Sequence, residues 1–144
     1  MSDSHDVGLL AQSVGYALRR AQLTVFERVI REFGRLNLRP AQYSVLALIE
    51  HSPGQKQSDV AAALGIQRAN FVVLFDELER RGLAERRPSA NDRRSYALHL
   101  TSAGADLVTK AHAINAESER HWDAVLGPGG RDQLLQLLHR LQTA

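Results

Sequence analysis

The feature that most constrains the fold is a pair of short apolar patterns joined by a tight turn in the middle of the chain. The first predicts a helix over residues 58–64 that Gly65 closes, and the second predicts a longer helix over residues 68–81 that ends before Gly82. The apolar positions that carry the two patterns are Val60, Ala61, Leu64, Ile66, Phe71, Leu74, Phe75 and Leu78. Two such helices are typical of a helix-turn-helix, although any two packed helices can produce the same pattern.

Two short extended segments follow and predict a β-hairpin. They cover residues 83–87 and 95–100, with a turn at residues 88–91. Residues 80–94 contain six arginines against two acidic side chains, a local net charge of +4, and such a cluster attracts polyanions. A basic hairpin directly after a helix-turn-helix predicts a winged helix, whose second helix lies in the major groove of DNA. The alternative for the hairpin is an ordinary exposed turn with solvated charges.

The chain on both sides of this centre is predicted to be helical. A helical repeat runs through residues 7–33, and a second helix is expected over residues 41–50 with Pro40 in its first turn. Thr101 is placed to cap a long helix that runs to about residue 126. A final helix follows the break at residues 127–130 and has a wide apolar face, formed by Leu134, Leu135, Leu137, Leu138 and Leu141.

These elements predict a mainly α fold with a small β-hairpin wing. A winged helix-turn-helix lobe is expected over residues 38–101, and the terminal helices, residues 7–36 and 102–144, are expected to form a dimerisation module. The length of 144 residues suits one lobe of this size with an appended helical module.

The composition argues against several other classes of protein. The absence of cysteine excludes disulfides, cysteine-bound zinc and thiol redox sensing. The sequence has no HExxH pair, no glycine-rich phosphate loop and no nucleophile elbow, so we expect no enzyme activity, no cofactor and no bound metal. A metal-sensing regulator remains an alternative, because His51, His112 or His121 can meet carboxylates such as Glu117 in a fold. The lack of a long apolar run and the polar, acidic start predict a cytoplasmic protein with no membrane partner.

Residues 38–104 resemble the MarR (multiple antibiotic resistance regulator) family. The matching stretches are LRPAQYSVLALIE, SDVAAALGI, FDELERRGLAERR and NDRRSYALHLTSAG, of which the last is the most specific. The flanking helices also match the family in length and position. The resemblance implies a homodimer with interleaved terminal helices that binds a pseudo-palindromic, double-stranded DNA operator. It also implies repression that a small ligand relieves; a purely architectural, ligand-independent DNA-binding protein is the alternative.

The second helix of the helix-turn-helix is expected to read base pairs. Its buried stripe leaves Arg68, Ala69, Val72 and Val73 facing outward, with Asn70 on the flank. Arg68 suits guanine and Asn70 suits adenine, although Asn70 can instead cap backbone groups at the helix start. Family members usually carry a small polar residue and an arginine in place of Val72 and Val73. The two valines are therefore expected either to touch thymine methyl groups or to pack elsewhere.

The hairpin tip is expected to contact DNA as well. Arg94 resembles the family's fingertip arginine, which enters the minor groove. Asp92 is expected to pair with a neighbouring arginine, Arg94 in particular, and so to stabilise the tip. Arg93 is expected to contact a phosphate or to pack at the base of the wing. The full set of expected DNA contacts is Gln67, Arg68, Ala69, Asn70, Val72, Val73, Arg93 and Arg94.

A second apolar stripe on the first helix indicates a possible effector site. The stripe consists of Tyr16, Leu23 and Ile30, with Phe26 beside it. Arg19 projects into the stripe, where it must pair, reach water or bind an anion. An aromatic carboxylate or an acyl thioester would satisfy it; an internal salt bridge and a position at the dimer seam are the alternatives. The resemblance places Tyr43 at a pocket wall, although Tyr43 also suits a core. The expected effector set is Tyr16, Arg19, Leu23 and Tyr43.

Overall fold

Helices and one antiparallel hairpin make up the computed structural model, which describes residues 6–92 and 94–144. The helices are α1 (Val14–Phe33), α2 (Pro40–His51), α3 (Gln57–Ala63), α4 (Arg68–Arg80), α5 (Ser102–Leu126) and α6 (Gly130–Gln142), and the strands are β1 (Ala84–Pro88) and β2 (Tyr96–Leu100). The predicted mainly α fold with a hairpin wing is confirmed, and the central elements begin and end within about one residue of their predicted bounds.

The first helix begins later than its apolar repeat predicts. Gly8 has a positive φ of 60° and opens a 3-10 turn over Gly8–Gln12. Ser13 then adopts an extended conformation, with ψ at 128°, before α1 begins at Val14. The prediction of one continuous helical repeat over residues 7–33 is therefore wrong at its start, because two residues leave the helical region of the backbone.

The wing receives a third extended segment that the sequence did not reveal. The Gly54 N–H donates to the Leu98 carbonyl, and the Leu98 N–H donates to the Gln55 carbonyl, both at 2.9 Å. Lys56 forms an antiparallel bridge with Ala97, while β1 pairs with the other edge of β2 from Ala84 opposite Leu100. The loop before α3 therefore covers the second edge of β2 and ties the wing to the helix-turn-helix.

The core lies under the helix-turn-helix and is closed by the ends of α1 and α5. Its fully buried large side chains are Val45, Leu46, Ile49, Val60, Phe71, Phe75, Leu78, Leu98 and Val108. Phe33 from α1, with Val108 and Ala111 from α5, belongs to the same buried cluster. The core of the lobe thus extends beyond residues 38–101 into the last turn of α1 and the first three turns of α5.

A glycine joins the wing to α5. The Thr101 hydroxyl donates to the Gly82 carbonyl at 2.6 Å and accepts from the Gly104 N–H at 3.0 Å, while the Thr101 N–H donates to the Leu83 carbonyl at 3.1 Å. A Cβ at Gly104 would lie 1.8 Å from the Leu83 carbonyl oxygen. Only glycine allows this approach, so the base of the hairpin is fixed against the first turn of α5.

The terminal helices leave wide apolar faces uncovered in one chain. On the first 3-10 turn and α1 the exposed apolar side chains are Leu9, Leu10, Val14, Leu18, Leu23, Phe26 and Ile30. On α5 and α6 they are Val125, Leu126, Leu134, Leu135, Leu137 and Leu141. A contiguous apolar surface of this size is unusual for a monomer and typical of an interaction surface. Among the described residues, no helix combines the length and apolarity needed to span a membrane.

Candidate nucleic-acid interface

The outward face of α4 carries the residues expected to read base pairs. Phe71, Leu74, Phe75 and Leu78 are buried, whereas Gln67, Arg68, Ala69 and Asn70 are all exposed at the start of the helix. Gln67 is the N-cap residue and has an extended backbone. No hydrogen bond of the Asn70 side chain is recorded among residues 6–92 and 94–144, so its amide remains available for an outside partner.

The two valines of α4 differ in exposure. Val73 is 67% exposed, and a shallow depression beside it is lined by Asp76, Glu79 and Arg80. Val72 is half-buried and lies with Tyr96 and other residues around a second depression between α4 and the wing. Val73 therefore projects furthest from the protein, while Val72 contributes in part to the packing of the wing.

A groove between the wing and the helix-turn-helix brings together Arg68 and Arg94, two of the three arginines expected to contact DNA. It has a volume of about 490 Å³, and its walls include Gln57 and Ser58 from α3, Arg68 and Phe71 from α4, and Arg94 and Tyr96 from the wing. We call it the wing–helix groove. Both arginines are exposed, so an anion in this groove meets positive charge from the helix and from the hairpin. Tyr96 is a residue of this surface that the sequence analysis did not include.

Asp92 stabilises the hairpin tip through the backbone. Its Oδ1 accepts a hydrogen bond from the Arg94 N–H at 2.9 Å, and its carbonyl accepts one from the Ser95 N–H at 3.3 Å. The expected pairing of Asp92 with the Arg94 guanidinium is therefore corrected: within the described residues the contact is with the Arg94 amide, which leaves that guanidinium exposed. Arg93, the remaining predicted contact, lies outside the described residues.

The basic cluster predicted over residues 80–94 is partly neutralised in the fold. Arg87 pairs with Glu85 on the same strand, and Arg86 pairs with two carboxylates of α4. Arg81 donates to the Asn37 carbonyl at 2.7 Å and so holds the loop after α1. Several of the guanidinium groups counted in this cluster therefore bind acceptors within the protein.

Arg86 has the densest set of partners on this side of the molecule. Its Nε donates to Gln57 Oε1 at 2.7 Å, and its Nη1 donates to Asp76 Oδ1 at 2.9 Å and to Glu79 Oε1 at 3.0 Å. The guanidinium lies 4.7 Å from the centre of the Phe75 ring. One side chain of β1 thus connects the wing to α3 and α4.

Tyr43 lies where α2 meets α5 rather than in the exposed stripe of α1. Its ring stacks on Phe33 with centroids 4.7 Å apart, and its hydroxyl is 2.8 Å from His112 Nδ1. His112 Nε2 is in turn 2.7 Å from Glu50 Oε1. Burial, followed by the nearby carboxylates of Glu50 and Glu119, raises the pKa of the Tyr43 phenol above its ordinary value. Tyr43 is therefore part of a chain of hydrogen bonds that links the two helices.

The other expected effector residues are distant from Tyr43 in one chain. Leu23 precedes Phe33 by ten residues on α1, about 15 Å along the helix axis. Tyr16 and Arg19 lie further away on the same helix. Within one chain the four expected effector residues are thus spread along α1 and α2, and their grouping into one pocket stays a prediction. Arg19 is exposed and forms no ion pair within the described residues, so the internal salt bridge suggested for it is not formed there.

Comparison with known proteins identifies the family. A sequence profile of the MarR family matches residues 36–95. The putative transcriptional regulatory protein for the hcr operon of Thauera aromatica is 32% identical over 135 residues, which cover 93% of this chain and 81% of that protein. The chain belongs to the MarR family. It is therefore a transcriptional regulator of the MarR type, as its resemblance predicted.

Solved structures similar to this MarR-family chain include two of one repressor. The transcriptional repressor CouR bound to a 23-mer DNA duplex has a TM-score of 0.91 and 42% identity, and the match covers 96% of this chain and 98% of that one. CouR bound to p-coumaroyl-CoA has a TM-score of 0.88 and 39% identity, with 95% and 96% covered. The winged-helix fold is thus shared over nearly the whole of both chains.

Two histidines of this MarR-family protein contact neighbouring side chains. His112 is engaged by Tyr43 and Glu50, and His121 lies edge-to-face with Trp122 at 4.6 Å between ring centroids. Within residues 6–92 and 94–144 no group of three or more potential metal ligands lies together. The metal-sensing alternative therefore gains no support from the arrangement of these side chains.

Proposed function

We propose that this MarR-family chain is a homodimeric, ligand-responsive repressor that binds a pseudo-palindromic DNA operator. The observation that carries the proposal is the wing–helix groove, in which Arg68 of α4 and Arg94 of the wing face the same space. A DNA duplex presents a phosphate backbone beside each base-pair edge, so a surface that carries both arginines can contact the backbone and the bases together. The CouR–DNA complex, of the same fold over nearly the full length, supports this assignment.

Within this surface we assign different roles to the residues of α4 and the wing. Arg68 and Asn70 are suited to purine edges in the major groove, and Val73 is suited to a thymine methyl group. Arg94 is suited to the narrow minor groove beside them. The proposed contact set also includes Gln67, Ala69, Val72 and Arg93. Of these, Ala69 and Val72 contribute surfaces that pack against the DNA.

Selection of duplexes from a randomised library by the wild-type protein tests this function. We expect an enriched pseudo-palindrome, and Arg94→Ala should then bind it at least about tenfold more weakly, ~1.4 kcal/mol, with an unchanged thermal midpoint. Arg87→Ala is the matched control, since it removes a charge of the same hairpin that already pairs with Glu85. Equal affinity of Arg94→Ala and wild type for the selected duplex would contradict the fingertip role.

The specificity ratio separates a regulator from an architectural protein. A regulator should bind the selected duplex at least about 10³-fold more tightly than a scrambled duplex at the same salt concentration. A ratio near one, with both affinities falling steeply as salt is added, would indicate architectural binding instead.

The apolar faces of the terminal helices support the homodimer. Leucines of α6 and aliphatic side chains of α1 are exposed together in a single chain, and a two-fold pairing of this surface would cover both sets at once. We therefore propose that residues 7–36 and 102–144 form the dimerisation module and that residues 38–101 form the DNA-binding lobe. A two-fold dimer also matches the two half-sites of a pseudo-palindrome.

The proposed effector is an aryl acyl thioester in preference to a small aromatic carboxylate. Arg19 precedes Phe33, on which Tyr43 stacks, by fourteen residues of α1, about 21 Å along the axis. A small carboxylate cannot contact both ends of that span in one chain, whereas a long thioester can place an anionic group near Arg19 and its acyl end near Tyr43. The CouR complex with p-coumaroyl-CoA supports a ligand of this class. Tyr16 and Leu23 would then line the path between the two ends.

A pair of ligands tests the effector assignment. p-Coumaroyl-CoA should raise the thermal midpoint and release the selected duplex, and free p-coumarate at equal concentration should do so much less, because a ligand that binds only the native state stabilises it. Arg19→Gln should weaken binding of the thioester but leave DNA affinity unchanged. No midpoint shift with either ligand would contradict this effector class while leaving the DNA-binding proposal intact.

A further inference from the structure

The Arg86 guanidinium is held on three sides by different elements of the lobe. Its side chain is only 14% exposed, although it carries a full charge. Gln57 belongs to α3, Asp76 and Glu79 belong to α4, and each accepts a hydrogen bond from it at 3.0 Å or less. The Phe75 ring lies against its flat face at 4.7 Å. A planar fork with this many fixed partners restricts both the position and the rotation of the strand that carries it.

The contact between β1 and α4 is reinforced through the main chain. Glu79 Oε2 accepts the Arg86 N–H at 3.1 Å, while Glu79 Oε1 accepts from its guanidinium. Glu79 therefore binds both the backbone and the side chain of one wing residue. Arg87, the next residue on the strand, pairs with Glu85 of the same strand and with no other carboxylate in the part of the chain that the structure describes. Arg86 therefore links β1 to α3 and α4, whereas Arg87 pairs within its own strand.

We propose that Arg86 is a positioning residue for DNA recognition, which fixes the wing relative to α4 and so sets the spacing between Arg94 and the base-reading face of that helix. The inference rests on the proposed DNA-binding function. Arg94 and Tyr96 lie beyond the hairpin turn from Arg86, so the angle of β1 determines where both reach. Because its Nε and Nη1 are hydrogen-bonded within the lobe, we assign Arg86 no phosphate contact of its own.

The arrangement also controls the charge of the reading face. Asp76 and Glu79 are on the same side of α4 as Val73, around one depression, and their side chains are 51% and 41% exposed. Unpaired carboxylates at this place would repel the phosphate backbone of a bound duplex. Arg86 pairs with both carboxylates and offsets one of their two charges, so its loss is expected to weaken DNA binding by releasing the wing and by increasing the negative charge beside α4.

The test compares Arg86→Met and Arg86→Lys with the control Arg87→Met in the full-length protein. Three quantities are measured: affinity for the duplex selected by wild type, affinity for a scrambled duplex, and amide hydrogen exchange of the hairpin in the free protein. Arg86→Met should lose at least tenfold in affinity for the selected duplex and clearly less for the scrambled one. Its hairpin amides should exchange at least tenfold faster than those of wild type. The exchange rates of Arg86→Lys should lie between those of wild type and Arg86→Met. Arg87→Met should leave the exchange of the hairpin unchanged.

The salt dependence of binding distinguishes positioning from direct contact. If Arg86 acts by position, the slope of log affinity against log salt concentration stays the same in Arg86→Met. A slope that falls by about one would mean that Arg86 neutralises a phosphate, and the proposal would be overturned. An unchanged ratio of selected to scrambled affinity would overturn it as well.

A second set of variants removes the same contacts from the opposite side. Asp76→Asn with Glu79→Gln weakens the pairing but keeps Arg86, so faster hairpin exchange in this double variant is expected even if Arg86→Met fails to fold. Unchanged exchange there would overturn the positioning role. If wild type selects no duplex at all, the DNA-binding proposal fails, whereas the exchange measurements still decide whether Arg86 holds the wing.

Discussion

The winged lobe and the terminal helices differ in how far one chain buries their apolar side chains. In the lobe, Phe71, Phe75 and Leu98 are fully buried in one chain, and several charged groups at its surface pair with groups of other elements. Along α1 and α6, by contrast, aliphatic side chains such as Val14 and Leu135 are exposed, and ion pairs are few. The lobe therefore has a core of its own, whereas the terminal helices expose apolar faces that the proposed dimer would cover.

The two regions meet at α5, and this contact determines how independent they are. The first turns of α5 supply Val108 and Ala111 to the core of the lobe, while its last turn carries exposed Val125 and Leu126. The same helix thus contributes to the core at one end and to the proposed dimer interface at the other. A displacement of the lobe or of the terminal helices is therefore expected to move the other region, because α5 belongs to both.

The largest expected effect is at the joint between the wing and α5. In Gly104→Ala the new Cβ would lie 1.8 Å from the Leu83 carbonyl oxygen, so the backbone must shift and the Thr101 hydrogen bonds must break. We expect a loss of at least about 3 kcal/mol in the free energy of unfolding, a size reached by few single substitutions. Denaturant unfolding measures it, and Ala103→Gly, in the same helical turn, should cost only about 1 kcal/mol. Equal losses of stability in Gly104→Ala and Ala103→Gly would mean that the contact between Gly104 and Leu83 does not stabilise the lobe.

The next effect concerns the terminal helices. Leu135 is 50% exposed in one chain, and Leu135→Asp places a charge in the proposed dimer interface. We expect a loss of roughly 2–3 kcal/mol per chain, the value of one buried leucine, and a monomer in light scattering. The unfolding midpoint of wild type should rise with protein concentration.

Val73→Asp is the matched control for the dimer, because Val73 is even more exposed, at 67%, but lies on α4. It should leave the dimer intact. If wild type is monomeric at micromolar concentration, the terminal helices do not bury their apolar faces in a dimer, and the contrast with the lobe is wrong.

The smallest expected effect separates the two valines of α4. Replacing a contacted thymine by uracil removes one methyl group, and the loss of affinity should be about 1 kcal/mol at the same position of each half-site. Val73→Ala should abolish this sensitivity without changing the salt dependence, because valine neutralises no phosphate. Val72→Ala should instead lower the stability of the lobe. Affinity that is unchanged by uracil throughout the site would assign Val73 to packing alone.

The sequence predicted the elements of the lobe well, because their signals are local. The apolar spacing around Phe71 and Leu78 determined the orientation of α4, and Thr101 marked the start of α5. The start of α1 was misjudged, because an apolar repeat continues through Gly8 and Ser13 whether or not their backbone is helical. The third segment of the wing was missed because Gly54-Gln55-Lys56 is too short and polar to show alternation.

The polar contacts of the site could not be predicted in the same way. Arg86 and Gln57 are 29 residues apart, and Tyr43 and His112 are 69 apart, so nothing local relates them. The sequence counted Arg86 as free charge beside Arg87, although the fold uses it as an internal link. Residue type indicates which groups can bind an anion, but only the three-dimensional arrangement shows which of them are already occupied.

The close fit of Gly104 against Leu83 makes the wing a rigid extension of α5. This helix has 25 residues, which corresponds to about 37 Å. A tilt of roughly 5° about its far end would therefore displace the hairpin by about 3 Å, close to the ~3.4 Å between successive base pairs of DNA. In the proposed dimer, a small angular change where α5 meets α6 would therefore be enough to move each wing out of register with its half of the proposed operator.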